Sequence, residues 1–144
     1  IYGCRTYRGK DMIYDPRFSK WVIGDKLGNK IGFLDDSVCT HYNEVVEGLI
    51  FTPSFDMESL SIDSLKLKTI PGISPDNDAT VFISRTDDLR VYSMEHIEQY
   101  GVNLDYNKNF TVRNLGYVRS ETAFKIRTAS RSRMAFCLLD VSAS

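Results

Sequence analysis

The chain has 144 residues, 42% hydrophobic and 26% charged, and its 18 basic and 19 acidic side chains give a net charge of −1. This length is enough for one domain whose core needs no disulfide support, and the composition excludes wholesale disorder. The apolar stretches are far shorter than the ~20 residues that a membrane-spanning helix needs.

Short extended runs separated by turn residues dominate the chain, and this pattern predicts an all-β fold of antiparallel strands. A hairpin is predicted where apolar runs at 20–23 and 31–34 flank a turn that contains glycine and asparagine. A further apolar run at 45–52 ends at Pro53, which cannot donate to a strand ladder. Residues 64–69 alternate, which places Leu65 and Leu67 on a buried face and the lysines between them on a solvent face.

The second half of the chain continues this pattern. Residues 71–78 are dense in turn formers and predict an exposed loop. A hairpin is predicted from 80–84 and 90–93, and residues 94–100 are the one helical candidate, which is too short to change the all-β prediction. Further strands are predicted at 110–113, 123–128 and 134–141, the last two as a hairpin across a polar turn. The apolar positions that alternate with polar neighbours form the expected core: Trp21, Leu65, Leu67, Phe82, Phe124, Ile126 and Phe136.

Three of the predicted hairpins look alike, and they begin at Trp21, Phe82 and Phe124. Propeller blades recur every ~40–50 residues, but a closed propeller needs roughly four or more of them, and this chain holds about three. An antiparallel meander therefore has two possible architectures here, partial β-propeller blades or a β-sandwich.

Motifs for chemistry are absent from the sequence. No nucleophile elbow, zinc-protease helix, phosphate-binding loop or dinucleotide fingerprint occurs. Cys4, Cys39 and Cys137 form no pair at metal-ligand spacing, so we expect buried free thiols rather than a zinc site or a disulfide framework. We assign no catalytic residue, no cofactor and no metal ligand, and we expect a protein that is not an enzyme.

Two weaker chemical interpretations were weighed against ordinary surface roles. His41 lies near Glu44, as a general base oriented by a carboxylate would, but a partly exposed histidine at a strand end is favoured. The acidic residues in 76–78 and at Asp87 and Asp88 could bind calcium, but neither group has the spacing of a calcium loop. Solvated turns are the favoured interpretation.

The charge is distributed unevenly, because basic residues outnumber acidic ones after residue 100 and acidic residues are in excess before it. Alternation in 124–128 places the basic residues opposite Phe124 and Ile126, so they could share a surface that meets an acidic protein or nucleic-acid phosphates. The candidate interface or DNA-facing residues are Arg119, Lys125, Arg127, Arg131 and Arg133.

Several segments together resemble a known family. They are 109–119, 124–127 and 132–136 near the end of the chain, and 14–17, 20–22, 34–36 and 81–93 before it. These segments are similar to those of the packaged-DNA stabilisation proteins, which are tail accessory or hub proteins of short-tailed bacteriophages.

The resemblance implies a non-enzymatic structural protein of the virion tail, assembled in the cytoplasm of the host bacterium. Such a protein helps to close the portal/tail channel and to retain packaged DNA, as a homo-oligomeric ring with the adaptor ring, the needle and the tail fibres or spikes. Non-specific DNA contact in the channel is compatible with this role, and no membrane anchor is expected.

Because residue 1 is Ile and the family's proteins are longer, we expect residues 1–144 to form a single β-rich domain from the C-terminal portion of a longer protein. Two alternative functions stay open: a glycan-active or glycan-binding β-propeller or sandwich module, and a receptor-binding module.

Overall fold

The computed structural model describes residues 2–4, 7–70, 79–102, 104, 108–131 and 134–144, with side chains from residue 7 onward. These residues contain thirteen β-strands and no helix. The strands are β1 (Tyr2–Cys4), β2 (Gly9–Asp15), β3 (Lys20–Asp25), β4 (Ile31–Phe33), β5 (Thr40–His41), β6 (Glu44–Phe51), β7 (Phe55–Asp56), β8 (Leu60–Thr69), β9 (Thr80–Thr86), β10 (His96–Gln99), β11 (Lys108–Val118), β12 (Glu121–Ser130) and β13 (Phe136–Ala143).

The strands form three antiparallel sheets. The large sheet has the order β1-β6-β12-β9-β10, with β5 pairing to β6 and β7 pairing to β12. The second sheet has the order β11-β8-β13, and the third, formed near the start of the chain, has the order β2-β3-β4. The predicted all-β antiparallel fold is therefore confirmed.

The hydrophobic core lies between the large sheet and the second sheet. Alternate side chains of β8 point inward, so that Leu65 and Leu67 are buried, and β12 buries Phe124 and Ile126 from the opposite layer. Complete burial of one such side chain stabilises the fold by about 1.5–3 kcal/mol. The two layers share one core, which is the arrangement of a sandwich.

A half-buried arginine ties the two layers together at one end. The Arg85 guanidinium extends from β9 and donates hydrogen bonds to the backbone carbonyls of Leu115 (2.6 Å) and Tyr117 (3.2 Å) on β11. Those carbonyls flank a β-bulge in which Gly116 has φ +89°, a conformation that side-chain-bearing residues rarely adopt. The bulge thus directs two carbonyl groups toward the opposite sheet.

Most predicted strands are present. The runs at 20–23, 31–34, 45–52 and 64–69 correspond to β3, β4, β6 and β8, and the remaining predicted strands overlap β9, β11, β12 and β13. The predicted loop at 71–78 lies outside the described residues.

Three predictions about local structure are wrong. Residues 90–93 do not form the strand that returns along β9, because β10 is the strand that pairs with β9 in an antiparallel hairpin. The helical candidate at 94–100 contains this same short strand. The last two strands form no hairpin, since β12 pairs with β6, β7 and β9 while β13 pairs with β8 in the other layer. The third of the three similar hairpins is therefore absent.

The expected core was right for four of its seven residues. Trp21 is 46% exposed, because it lies on the third sheet and packs edge-on against Tyr14 rather than into the core. Phe82 is half-buried on the outer face of the large sheet, and Phe136 is half-buried at the core margin beside Tyr100. The expectation of buried thiols also failed for Cys137, which is exposed, and for Cys39, which is only half-buried.

Candidate interaction surfaces

Lys125 and Arg127 share the outer face of β12, as the alternation predicted, but they are held by acidic residues of the same chain. The connection between β9 and β10 crosses this face and brings Glu95 to Arg127, whose Nε and Nη2 donate to the carboxylate at 3.0 and 2.5 Å. Arg127 Nη1 also donates to Glu47 at 3.3 Å, and Lys125 Nζ lies 3.8 Å from Glu95. These two cations are therefore neutralised within the fold.

Aromatic rings complete this cluster. The Arg127 guanidinium lies over the ring of Phe82, 3.9 Å from its centroid, and Lys125 Nζ lies 4.6 Å from the centroid of Tyr92. The hydrogen bonds from Arg127 hold the pKa of Glu95 below its ordinary value, because they stabilise the charged carboxylate. The cluster fastens the β9–β10 connection to the sheet.

The other candidate basic residues lie elsewhere. Arg119 precedes β12 and Arg131 follows it, so these two exposed residues lie at opposite ends of a strand about 30 Å long. Arg133 lies outside the described residues. The structure therefore brings Lys125 and Arg127 together and separates them from Arg119 and Arg131, and partner contact by these residues stays a prediction.

Of the carboxylates considered for calcium, Asp87 and Asp88 have structural partners, and those in 76–78 lie outside the described residues. Asp88 caps the turn after β9: its Oδ1 accepts hydrogen bonds from the backbone N–H groups of Val91 (2.8 Å) and Arg90 (2.9 Å), which lowers its pKa. Asp87 pairs with Arg85 at 2.9 Å. In the part of the chain that the structure describes, no group of three or more His, Cys, Asp or Glu side chains is placed to hold a metal ion.

His41 is oriented by backbone rather than by a carboxylate. Its Nδ1 accepts a hydrogen bond from the backbone N–H of Arg8 at 3.4 Å, and its ring meets Tyr7 edge-on. Glu44 instead forms an ion pair with the Arg8 side chain at 2.6 Å. The general-base arrangement with Glu44 is therefore not present.

Arg8 joins the third sheet to the sandwich, a role that the sequence did not indicate. Its guanidinium binds Asp25 on β3 and Glu44 on β6, and the pKa of Asp25 is lowered by these hydrogen bonds. Tyr42, at the tight turn between β5 and β6, donates from its hydroxyl to the carbonyl of Ile23 and packs against Gly32. We call these contacts the Arg8 joint.

The Arg8 joint depends on an uncommon turn. Tyr42 and Asn43 have φ values of +52° and +69°, and a tyrosine in this left-handed region is unusual. Two successive positive φ values are typical of a two-residue hairpin turn, where asparagine is favoured. A cavity of about 260 Å³ lies beside the joint and is lined by Tyr7, Phe33 and His41 among others.

One face of the third sheet is apolar and uncovered. The register places Ile13, Val22 and Phe33 directly across from one another, so their side chains lie on one face. Ile31 extends this face and is 78% exposed, and Phe18 packs edge-on against Phe33 while being exposed itself. Contiguous apolar patches of this kind mark surfaces that pack against other molecules.

Among the described residues, no helix has the length and apolarity needed to cross a membrane.

Comparison with known proteins connects this fold to a viral family. A family model described as the β-sandwich of bacteriophage P22 Gp10 matches residues 47–144. The tail hub protein gp10 of Salmonella phage P22 is 27% identical over 127 residues, which make up 88% of this chain and 26% of that protein. The chain thus spans about a quarter of the length of this relative.

These matches confirm the predicted resemblance to phage tail hub proteins, and the sandwich is the correct one of the two architectures. Because the family model covers more than half of its residues, the chain belongs to the family of the bacteriophage P22 Gp10 β-sandwich.

Proposed function

We propose that this chain is a structural part of a phage tail, where it helps to close the portal/tail channel and to retain packaged DNA. Membership of the P22 Gp10 family supports the tail role, as does the name of the P22 relative, a tail hub protein. The proposed partners are the adaptor ring, the needle and the tail spikes or fibres, and the proposed location is the virion tail after assembly in the host cytoplasm.

The observation that carries the proposal is the uncovered apolar face of the third sheet. Ile13, Ile31 and Phe33 are exposed on this face, where their contact with water is unfavourable. Packing against another protein would remove that contact and lower the free energy. Aromatic and aliphatic side chains of this size are typical anchors of protein interfaces. A neighbouring tail protein is the partner that the family relationship favours for this face.

The mechanism needs no bond-making step. DNA packed in a capsid presses outward, and a closed ring of identical subunits resists because its many contacts must break together. Arg119 and Arg131 are exposed and able to make non-specific contacts with a partner or with DNA phosphates.

Particles assembled without this chain test the proposal. We expect them to package DNA and then lose it, which is measured as DNA that becomes sensitive to added nuclease. A variant with Ile31→Lys and Phe33→Lys should fold but fail to enter particles, whereas Leu27→Lys, at an exposed position in the turn of the same sheet, should enter normally. Particles that lack the chain and still protect their DNA would contradict the retention role.

A further inference from the structure

We propose that the outer face of the β11-β8-β13 sheet binds the acidic end of the sandwich of a second copy of this chain. This inference rests on the proposed function, in which copies lie side by side in a ring.

The first surface, which we call the cationic face, consists of Lys66, Lys68 and Arg113. The register places Lys66 between Thr111 and Asp140, and Lys68 between Asn109 and Leu138. Arg113 lies opposite Ser64, two residues along β8 from Lys66. Directly opposed residues share a face in an antiparallel sheet, so these three cations project from the same side, away from the core.

The cations of this face differ from the other basic residues of the fold in their ion pairing. Arg8, Arg85 and Arg127 all form ion pairs, but Lys66, Lys68 and Arg113 form none with any residue that the structure describes. Lys66 and Lys68 are only about 7 Å apart along the strand, so their charges repel each other. Asp140, directly across from Lys66, offsets one of the three charges, and an acidic partner would stabilise the positive charge that is left.

The second surface, which we call the acidic end, consists of Asp56, Glu58 and Glu121. Asp56 and Glu121 are directly opposite in the ladder between β7 and β12, an unfavourable arrangement for like charges. Glu58 lies in the turn before β8, and all three residues are exposed. Within the described ranges none of them forms an ion pair. Arg119 is the basic residue nearest to Glu121 in the sequence.

The two surfaces cannot neutralise each other within one copy. Lys66 is about 20 Å along β8 from Leu60, where the acidic end begins, and it projects from the outer face of the sheet. Contact between unlike surfaces of two copies is heterologous, and a contact of this type generates a ring when its rotation closes. The cationic face of one copy and the acidic end of the next therefore form a repeating head-to-tail contact.

Nucleic acid is the less favoured occupant. The cationic face is a flat sheet surface with no helix or ribbon to enter a groove, and the whole chain carries a net charge of −1, so it has no overall field that attracts DNA. The acidic end carries three acidic side chains, which complement the positive charge that Asp140 leaves on the cationic face.

A charge-swap experiment tests the contact. Sedimentation velocity is measured at 50 mM NaCl for the unaltered chain, for a face variant (Lys66→Glu, Lys68→Glu, Arg113→Glu) and for an end variant (Asp56→Lys, Glu58→Lys, Glu121→Lys). Each variant alone should self-associate at least tenfold more weakly than the unaltered chain. An equimolar mixture of the two should regain association, because the mixture restores opposite charges across the contact. A control with Lys10→Glu, Lys26→Glu and Arg90→Glu makes the same change in net charge as the face variant, at exposed positions elsewhere, and should associate normally.

The outcomes separate this inference from its alternatives. Association that weakens between 50 mM and 1 M NaCl supports it, because the Debye length falls from roughly 14 Å to about 3 Å. A chain that stays monomeric at high concentration in low salt would overturn it, as would a mixture that fails to associate. Binding of a fluorescent DNA duplex that is lost only in the face variant would overturn it in favour of nucleic acid. None of these failures affects the proposed tail role, which is decided by whether the chain is found in purified particles.

Discussion

The ion pair between Arg127 and Glu95 should be a measurable part of the stability of the sandwich. Exposed pairs contribute only ~0.2–1 kcal/mol, but this pair is bidentate, its side chains are 22% and 29% exposed, and Glu47 adds a further contact. We expect a coupling free energy of about 1 kcal/mol between Arg127→Met and Glu95→Gln. Arg127→Met alone should cost about 2 kcal/mol, because it also removes the contact with the Phe82 ring.

Urea unfolding of the four proteins of this double-mutant cycle, at pH 7 and 0.1 M salt, measures that coupling. The pair formed by Arg17 and Asp15 is a matched control, since Arg17 is 80% exposed and its coupling should be close to zero. A coupling below about 0.3 kcal/mol for Arg127 and Glu95, which is within the error of additivity, would refute the reasoning. Lys125 and Arg127 would then be available for a partner after all.

Three further predictions concern the core and the Arg8 joint. Phe124→Ala should reduce the free energy of unfolding by ~3–5 kcal/mol, and Phe136→Ala, at a half-buried site, by less; equal costs would show that β13 is as deeply buried as β12. Arg8→Gln should loosen the third sheet without unfolding the sandwich, and the emission of Trp21, the single tryptophan, should shift while far-UV circular dichroism changes little. Acid should have the same effect on the unaltered chain: the folded-state pKa of Asp25 is lowered, so its stabilisation is complete above the ordinary value of 3.8 and is lost as the pH falls below it. An emission change already complete above pH 5 would exclude Asp25 as its cause.

The sequence predicted strands well where the side chains alternate and poorly where they do not. Leu65 and Leu67 alternate with lysines, so the buried face was assigned correctly. Residues 81–84 are three apolar residues followed by a serine, and such a run fits either phase of a strand. Phe82 was therefore assigned inward, while the structure buries its two neighbours and places Phe82 beneath Arg127.

Strand pairing and the Arg8 joint depend on contacts that local patterns do not encode. The polar turn between β12 and β13 is what a hairpin would have, yet the chain crosses there from one layer of the sandwich to the other. The Arg8 joint brings together residues from three separate segments, Arg8, Asp25 and Glu44. The available signal was the Tyr-Asn pair at 42–43, which a two-residue hairpin turn favours, but it indicates the turn and not the partner of the tyrosine.

The basic residues show why a charge count along a sequence is a poor guide to an interface. Arg127 was selected because the last part of the chain is rich in cations, but the fold brings it Glu95 and Glu47, which are 32 and 80 residues away in the sequence. Lys66 and Lys68 attracted no attention, because lysines on the solvent face of an alternating strand are ordinary, yet they end without a counterion among the described residues. A charge that the fold has already neutralised contributes little to binding a partner, since a new contact must first break the old one. The charges available for assembly are those left over after folding, and in this chain they include the cationic face and the acidic end but not Lys125 and Arg127.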